Sequence, residues 1–183
     1  MDFNISGIEQ KWLLSLARRV VKEKLYGEQT TIKPPNDLNR LQAYDGAFVS
    51  LHTSGELRGC VGYLYGLKPL WETVAIAAVE AAFKDIRFSP LQVEELERTE
   101  IEISVLSKPM HVESWKEIEI GKHGIVILKN SFKALFLPQI AIEQNWNLPQ
   151  TLTQLSIKAG LSSNDWKLNA RFEVFESVIF SES

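Results

Sequence analysis

Cysteine is the scarcest reactive residue here: one, Cys60, in 183 residues. A lone cysteine cannot close an internal disulfide, which fits a reducing compartment and points to the cytoplasm. Zinc fingers and thiolate clusters fall with the same count. The three histidines are scattered, so no metal site is expected from them. Basic blocks are missing too, and the net charge is −3. A nucleic-acid reader usually carries a clustered basic face, so no nucleic-acid partner is expected. No run of about eighteen apolar residues occurs, so no membrane span is expected. The opening stretch MDFNISGIEQKW has no basic flank followed by an apolar core, unlike a secretory leader. There is no P-loop, dinucleotide fingerprint, GxSxG elbow or HExxH. No cofactor is therefore expected. Repeats and low-complexity tracts are absent as well.

What is present is the composition of a folded chain. Hydrophobic residues make up 45%, enough for a full core. The length suits a single domain over 1–183, and no linker is long enough to demand two.

Local signals place most elements. Ser6 and Glu9 have capping-box spacing, and Ile8, Trp12, Leu13, Leu16, Ala17, Val20 and Val21 continue with helical period up to a stop at Gly27. The stretch from Thr30 to Gly46, with its paired prolines, reads as a surface loop. AFVSLH and LRGCVGYL, joined by TSGE, predict a β-hairpin. An alanine-rich helix starts at Pro69, and SPLQ predicts a short helix capped by Ser89. TEIEISVLS alternates as a strand with one wet face. HGIVIL and ALFLP predict a second hairpin, two short helices follow, and RFEVFESVIF reads as one late strand. Hairpin-joined strands and helices in separate runs predict an α+β fold with a largely antiparallel sheet.

The strand LRGCVGYL carries the densest chemistry. Alternation puts Arg58, Cys60 and Gly62 on one face and Leu57, Gly59 and Val61 on the other. The apolar set is the natural core face. Arg58 then lies about 7 Å from Cys60 along the strand, where a cation would favour the thiolate. Gly59 and Gly62 would let a ligand or another backbone come close. The plain alternative is a small buried cysteine with Arg58 paired to an acid. His52 ends the preceding strand, and shares the Cys60 face only if the register allows.

Other candidates are more dispersed. His123, between glycines in GKHG, suits proton transfer near neutrality or a simple turn. Asp85 and Arg87 in DIRFSP read either as an ion pair locking a turn or as a fork for an anion. Gln139 and Glu143 share one helical face, facing a pocket or solvent. His111 has no constellation around it.

LRGCVG resembles the signature of the AMMECR family, whose prokaryotic members are component A of the AmmeMemoRadiSam systems. DIRFSPL, IEISVLSKP, GKHGIVI, LFLPQIAIEQNW and IKAGL follow in the family's order, so the resemblance runs from the first hairpin to Trp166. It implies an α+β fold with a small second subdomain. It also implies a role beside a Memo-like protein and a radical S-adenosylmethionine enzyme, with no reaction assigned. Within that role, Cys60 would be a nucleophile or carrier thiol, Arg58 an anion holder and His123 an acid/base group. The alternative is a non-catalytic module whose LRGCVG strand receives a segment of a partner. Two residues depart from the family pattern. Val61 replaces the frequent isoleucine, and Ser156 stands where many relatives carry cysteine, which argues against a two-cysteine mechanism.

Overall fold

The computed structural model describes residues 3–29 and 31–182; Thr30, which opens the expected loop, lies outside the described residues. The chain forms two compact units: residues up to Leu106 together with those from Val178 onward, and Ser107–Ser177. The chain is α+β, as expected, but with two four-stranded sheets, one in each unit, in place of the single sheet anticipated.

The first unit opens with helix α1 (Gly7–Tyr26). Ser6 and Glu9 make the anticipated capping box, and Gly27 closes the helix in the left-handed region at φ 72°. Strands β1 (Gly46–Thr53) and β2 (Glu56–Tyr63) form the first hairpin. Its two-residue turn, Ser54 and Gly55, has positive φ at both positions, the geometry that matches strand twist. Helix α2 (Leu70–Phe83) follows, and its Ala77, Ala78, Ala81 and Ala82 are buried. Pro69 sits at the N-cap, one place before the helix. Strand β3 (Thr99–Leu106) pairs antiparallel with β1.

Two expectations need correction here. SPLQ does not start a helix. The Leu91 amide is spent on the Ala82 carbonyl, so the chain stays extended through Gln92, and a 3₁₀ turn runs over Val93–Arg98. Its capping box is Gln92 with Glu95, three residues later than Ser89 with Gln92. The outer face of β3 is also less wet than its alternation suggests. Ser104 is buried, opposite Phe48 of β1.

The second unit carries β4 (Met110–Val112), β5 (Gly124–Lys129) and β6 (Phe132–Phe136). Helices α3 (Pro138–Glu143) and α4 (Leu148–Lys158) and strand β7 (Arg171–Phe175) complete it. The sheet order is β4-β7-β5-β6, antiparallel at every pairing. Ile125, Ile127, Leu152, Leu155, Trp166 and Phe172 fill its core.

The late strand is divided. β7 ends at Phe175, and β8 (Ser177–Ser181) lies beside β3 in the first sheet, whose order is β2-β1-β3-β8. The break falls at Glu176. Its amide donates to the Ser107 hydroxyl and its carbonyl accepts from the Ser107 amide, so neither is free to continue a ladder. Among the described residues, no helix is long and apolar enough to cross a membrane.

Candidate functional site

Register decides which side chains meet around Cys60. Ser50 of β1 lies opposite Cys60 of β2 and opposite Glu102 of β3, so the three share one face of the sheet. One step along, Leu57, His52 and Glu100 form the next row. His52 therefore shares the Cys60 face. Diagonal neighbours of this kind lie about 7–8 Å apart, within reach of a long side chain.

A register shift interrupts the ladder here. Leu51 pairs with Gly59, but His52 pairs with Leu57, so Arg58 is the additional residue of a β-bulge. The bulge overturns the strict alternation expected of LRGCVGYL. Leu57 joins the His52 row instead of the core face and is exposed. Arg58 is turned to Glu95, which it grips with two bonds, Nε–Oε1 at 2.8 Å and Nη2–Oε2 at 3.0 Å. The guanidinium holds the Glu95 carboxyl below its ordinary value against the opposing effect of burial. The remaining Nη1 of Arg58 is buried and has no partner among the described residues.

The two glycines are occupied from within the chain. A Cβ on Gly59 would collide with the carbonyl oxygen of Ala81, so the glycine is what lets α2 lie against the sheet. A Cβ on Gly62 would strike the Phe48 ring and the Ala47 carbonyl. Neither position is open space waiting for a ligand.

Cys60 itself is half-buried. The Ser50 hydroxyl donates to its sulfur at 3.3 Å. Ser50 and Cys60 form the close, non-hydrogen-bonded type of pair, because Cys60 turns its own amide and carbonyl outward from the edge strand. There the Asp85–Arg87 pair takes both. The Cys60 amide donates to Asp85 Oδ2 at 2.8 Å, and Arg87 Nη2 donates to the Cys60 carbonyl at 3.3 Å. Arg87 also grips Asp85 in a fork, Nε–Oδ1 at 2.9 Å and Nη2–Oδ2 at 2.6 Å. The guanidinium drives the Asp85 carboxyl far below the usual carboxylate range, burial opposes it, and the Cys60 amide adds to the lowering. Asp85 in turn raises Arg87. An acid and a base two residues apart thus stand in for a missing neighbouring strand at one residue, the cysteine.

His52 adds a second unusual nitrogen. Its Nε2 is buried without a hydrogen-bond partner among the described residues. Buried polar atoms are nearly always paired, so an orphan on the cysteine's own sheet face calls for an explanation.

The remaining candidates belong to the second unit. His123 Nδ1 accepts the Glu119 amide at 3.1 Å, so in the neutral ring the proton sits on Nε2. Gln139 lies in the first turn of α3, half-buried, with an unpartnered buried Oε1. Glu143, one turn on, is exposed. Nothing joins these side chains into a cluster with one another. His111 approaches Glu113 at 3.8 Å.

Sequence reasoning missed Ser50, Glu95 and Glu102 as members of the Cys60 neighbourhood. Ser50 was legible only as a residue alternating with His52. Glu95 carried no local mark of its bond to a residue 37 positions earlier.

The comparisons with known proteins concern the whole chain. Protein NEQ441 of Nanoarchaeum equitans is 38% identical over 179 residues, covering 93% of this chain and 98% of its own length. A protein of Aquifex aeolicus is 36% identical over 179 residues, covering 93% and 91%. The crystal structure of an uncharacterized protein, PH0010 from Pyrococcus horikoshii, superposes with a TM-score of 0.90 at 32% identity, over 99% of this chain and 95% of that one. The AMMECR1 family profile matches residues 14–180, which includes the clamped cysteine strand and runs through the second unit, and on these grounds the chain belongs to the AMMECR1 family.

Proposed function

We propose that the Cys60 face of the first sheet is the working surface of a component in a multi-protein pathway. In this reading Cys60 is the nucleophile or carrier thiol, Ser50 polarises its sulfur, and His52 is its proton partner. The observation that carries it is the orphaned, buried Nε2 of His52 on the same face as a sulfur whose backbone is held at both ends. A structural cysteine needs no such clamp; a reactive one gains from being fixed, because positioning lowers the entropic cost of reaction. The expected partners are a Memo-like protein and a radical S-adenosylmethionine enzyme.

A second reading has its own observation. Ile86, between the two clamp residues, is fully exposed, and Leu57, Tyr63, Tyr65 and Leu67 are exposed along and just beyond β2. Such an apolar border suits an extended partner segment laid beside the edge strand.

The test is alkylation of the native protein at pH 7, followed by Cys60→Ser in a partner-binding and pathway assay. A working thiol reacts without unfolding, slows in His52→Gln, and its serine variant binds partners while the pathway stops. A thiol that reacts only in the unfolded chain sinks the first reading. A serine variant with a working pathway leaves the docking module.

A further inference from the structure

The second unit holds a cleft of about 330 Å³ that the Cys60 reading leaves unused. It lies where β4 runs on into Glu113, Ser114 and Trp115, against the segment from Trp166 to Phe172. Its volume falls at the low end of small-molecule pockets, so it suits one compact ligand.

Two features set its chemistry. The first is aromatic. Trp115 and Trp166 meet edge to face, with ring centroids 5.2 Å apart and planes at 87°. Trp166 is buried, and its Nε1 is held by the Thr153 hydroxyl at 3.1 Å, so this ring is fixed from behind. Trp115 is half-buried and keeps part of its surface open. Trp115, braced edge to face by the fixed Trp166 and with Lys116 Nζ 5.8 Å from its ring centroid, offers its accessible portion to a flat aromatic partner.

The second feature is charge. Lys167 and Arg171 line the cleft, both are exposed, and neither has an ion-pair partner among the described residues. Lys167 Nζ lies 5.2 Å from the Trp166 ring centroid, so positive charge already sits beside the aromatic wall. Asn169 stands between them in the left-handed region at φ 57°. The one carboxylate of the lining, Glu113, is 92% exposed and faces His111 at 3.8 Å. In a chain of net charge −3, this lining carries two fixed cations and a histidine against one acid. A guanidinium and an ammonium with no internal counter-ion suit a phosphate or carboxylate.

We propose that this cleft is a binding site for a small planar aromatic anion, its ring against Trp115 and its phosphate or carboxylate held by Lys167 and Arg171. The site is separate in sequence and in unit from Cys60, so it does not rest on the thiol reading.

Calorimetric titration of the full chain tests it with four probes: AMP, indole-3-acetate, adenosine and inorganic phosphate. The expected result is saturable binding of AMP or indole-3-acetate, at least tenfold tighter than adenosine or phosphate alone. AMP tighter than adenosine shows that the phosphate is held; saturable binding of indole-3-acetate shows that a carboxylate suffices. The double variant Lys167→Ala, Arg171→Ala should weaken binding at least tenfold with an unchanged melting curve, since both side chains are exposed. Cys60→Ser should bind as the parent does. No saturable binding of either aromatic anion, binding unchanged in the double variant, or binding lost in Cys60→Ser overturns the proposal.

Discussion

The edge strands β2 and β6 face the same problem and solve it unequally. Each ends a four-stranded sheet, and each presents outward backbone groups that could recruit another strand. At β6 a single lysine answers. Lys158 of α4 donates to the Leu135 carbonyl at 2.9 Å and lies over the Phe136 ring. At β2 an acid and a base answer together, and they take both the amide and the carbonyl of one residue. One exposed lysine is enough to blunt an edge. A buried carboxylate locked by an arginine does more, since it fixes where Cys60 sits and how its side chain is aimed. The difference separates general protection of an edge from the fixing of a particular side chain.

The comparison can be broken most severely at Gly59. Gly59→Val drives a branched side chain into the Ala81 backbone. Backbone cannot yield as a flexible side chain can, so a loss of about 3 kcal/mol is expected. For a chain of this length that is roughly 6–12 °C in melting temperature, read by scanning calorimetry. An unchanged transition would mean that α2 does not rest on this strand as closely as described.

Asp85→Asn comes next. It removes a buried charge and leaves Arg87 without its counter-ion; because Arg87 is half-exposed and solvent screens it, about 2 kcal/mol is expected, below the value for a fully buried pair. The sign with pH follows from the lowered carboxyl. The stabilisation is complete above the unfolded value near 4 and is lost as the pH falls toward the much lower folded value. Wild type and variant should therefore converge in stability on acidification below about pH 4. Urea melts from neutrality to pH 2 read this out, and parallel curves would remove Asp85 from its role.

At the other edge, Lys158→Ala should cost about 1 kcal/mol, because what is lost is an exposed bond to a carbonyl that water can reach and an exposed contact over the Phe136 ring. A larger loss than that of Asp85→Asn would invert the comparison.

The smallest effect is spectroscopic. Tyr63, at the end of β2, donates to Glu80 of α2. That bond, aided by burial and the glutamate's charge, pushes the phenol up to about 12. In an ultraviolet titration Tyr63 should ionise late, and Glu80→Gln should return it toward the ordinary value near 10. A profile that Glu80→Gln leaves unaltered would detach the end of β2 from α2.

Much of the local structure was legible. The capping box at Ser6, the stop at Gly27 and both hairpins follow from signals only a few residues long. Cys60 was picked out by its composition: a thiol, an arginine and two glycines in one strand. What its neighbours do was not legible. Local pattern offered Arg58 as the cation beside the thiol, yet the bulge turns it to Glu95. Asp85 and Arg87 read either as a turn-locking pair or as a fork for an anion; they bond to one another, and nothing local hinted that the same atoms hold Cys60.

The sequence by itself determined most of the elements, the cap and stop of α1, the α+β class and the strand that carries the thiol, because periodicity and turn chemistry act over a few residues. Tertiary structure decided the register that puts His52 and Ser50 on the Cys60 face, and the passage of the last strand from one sheet to the other at Glu176. It also decided what fills the space beside each glycine. These depend on pairs far apart in the chain, such as Cys60 with Asp85, 25 residues on, and Arg58 with Glu95, 37 on. Such contacts form only when several elements pack at once, so no short window of sequence contains them.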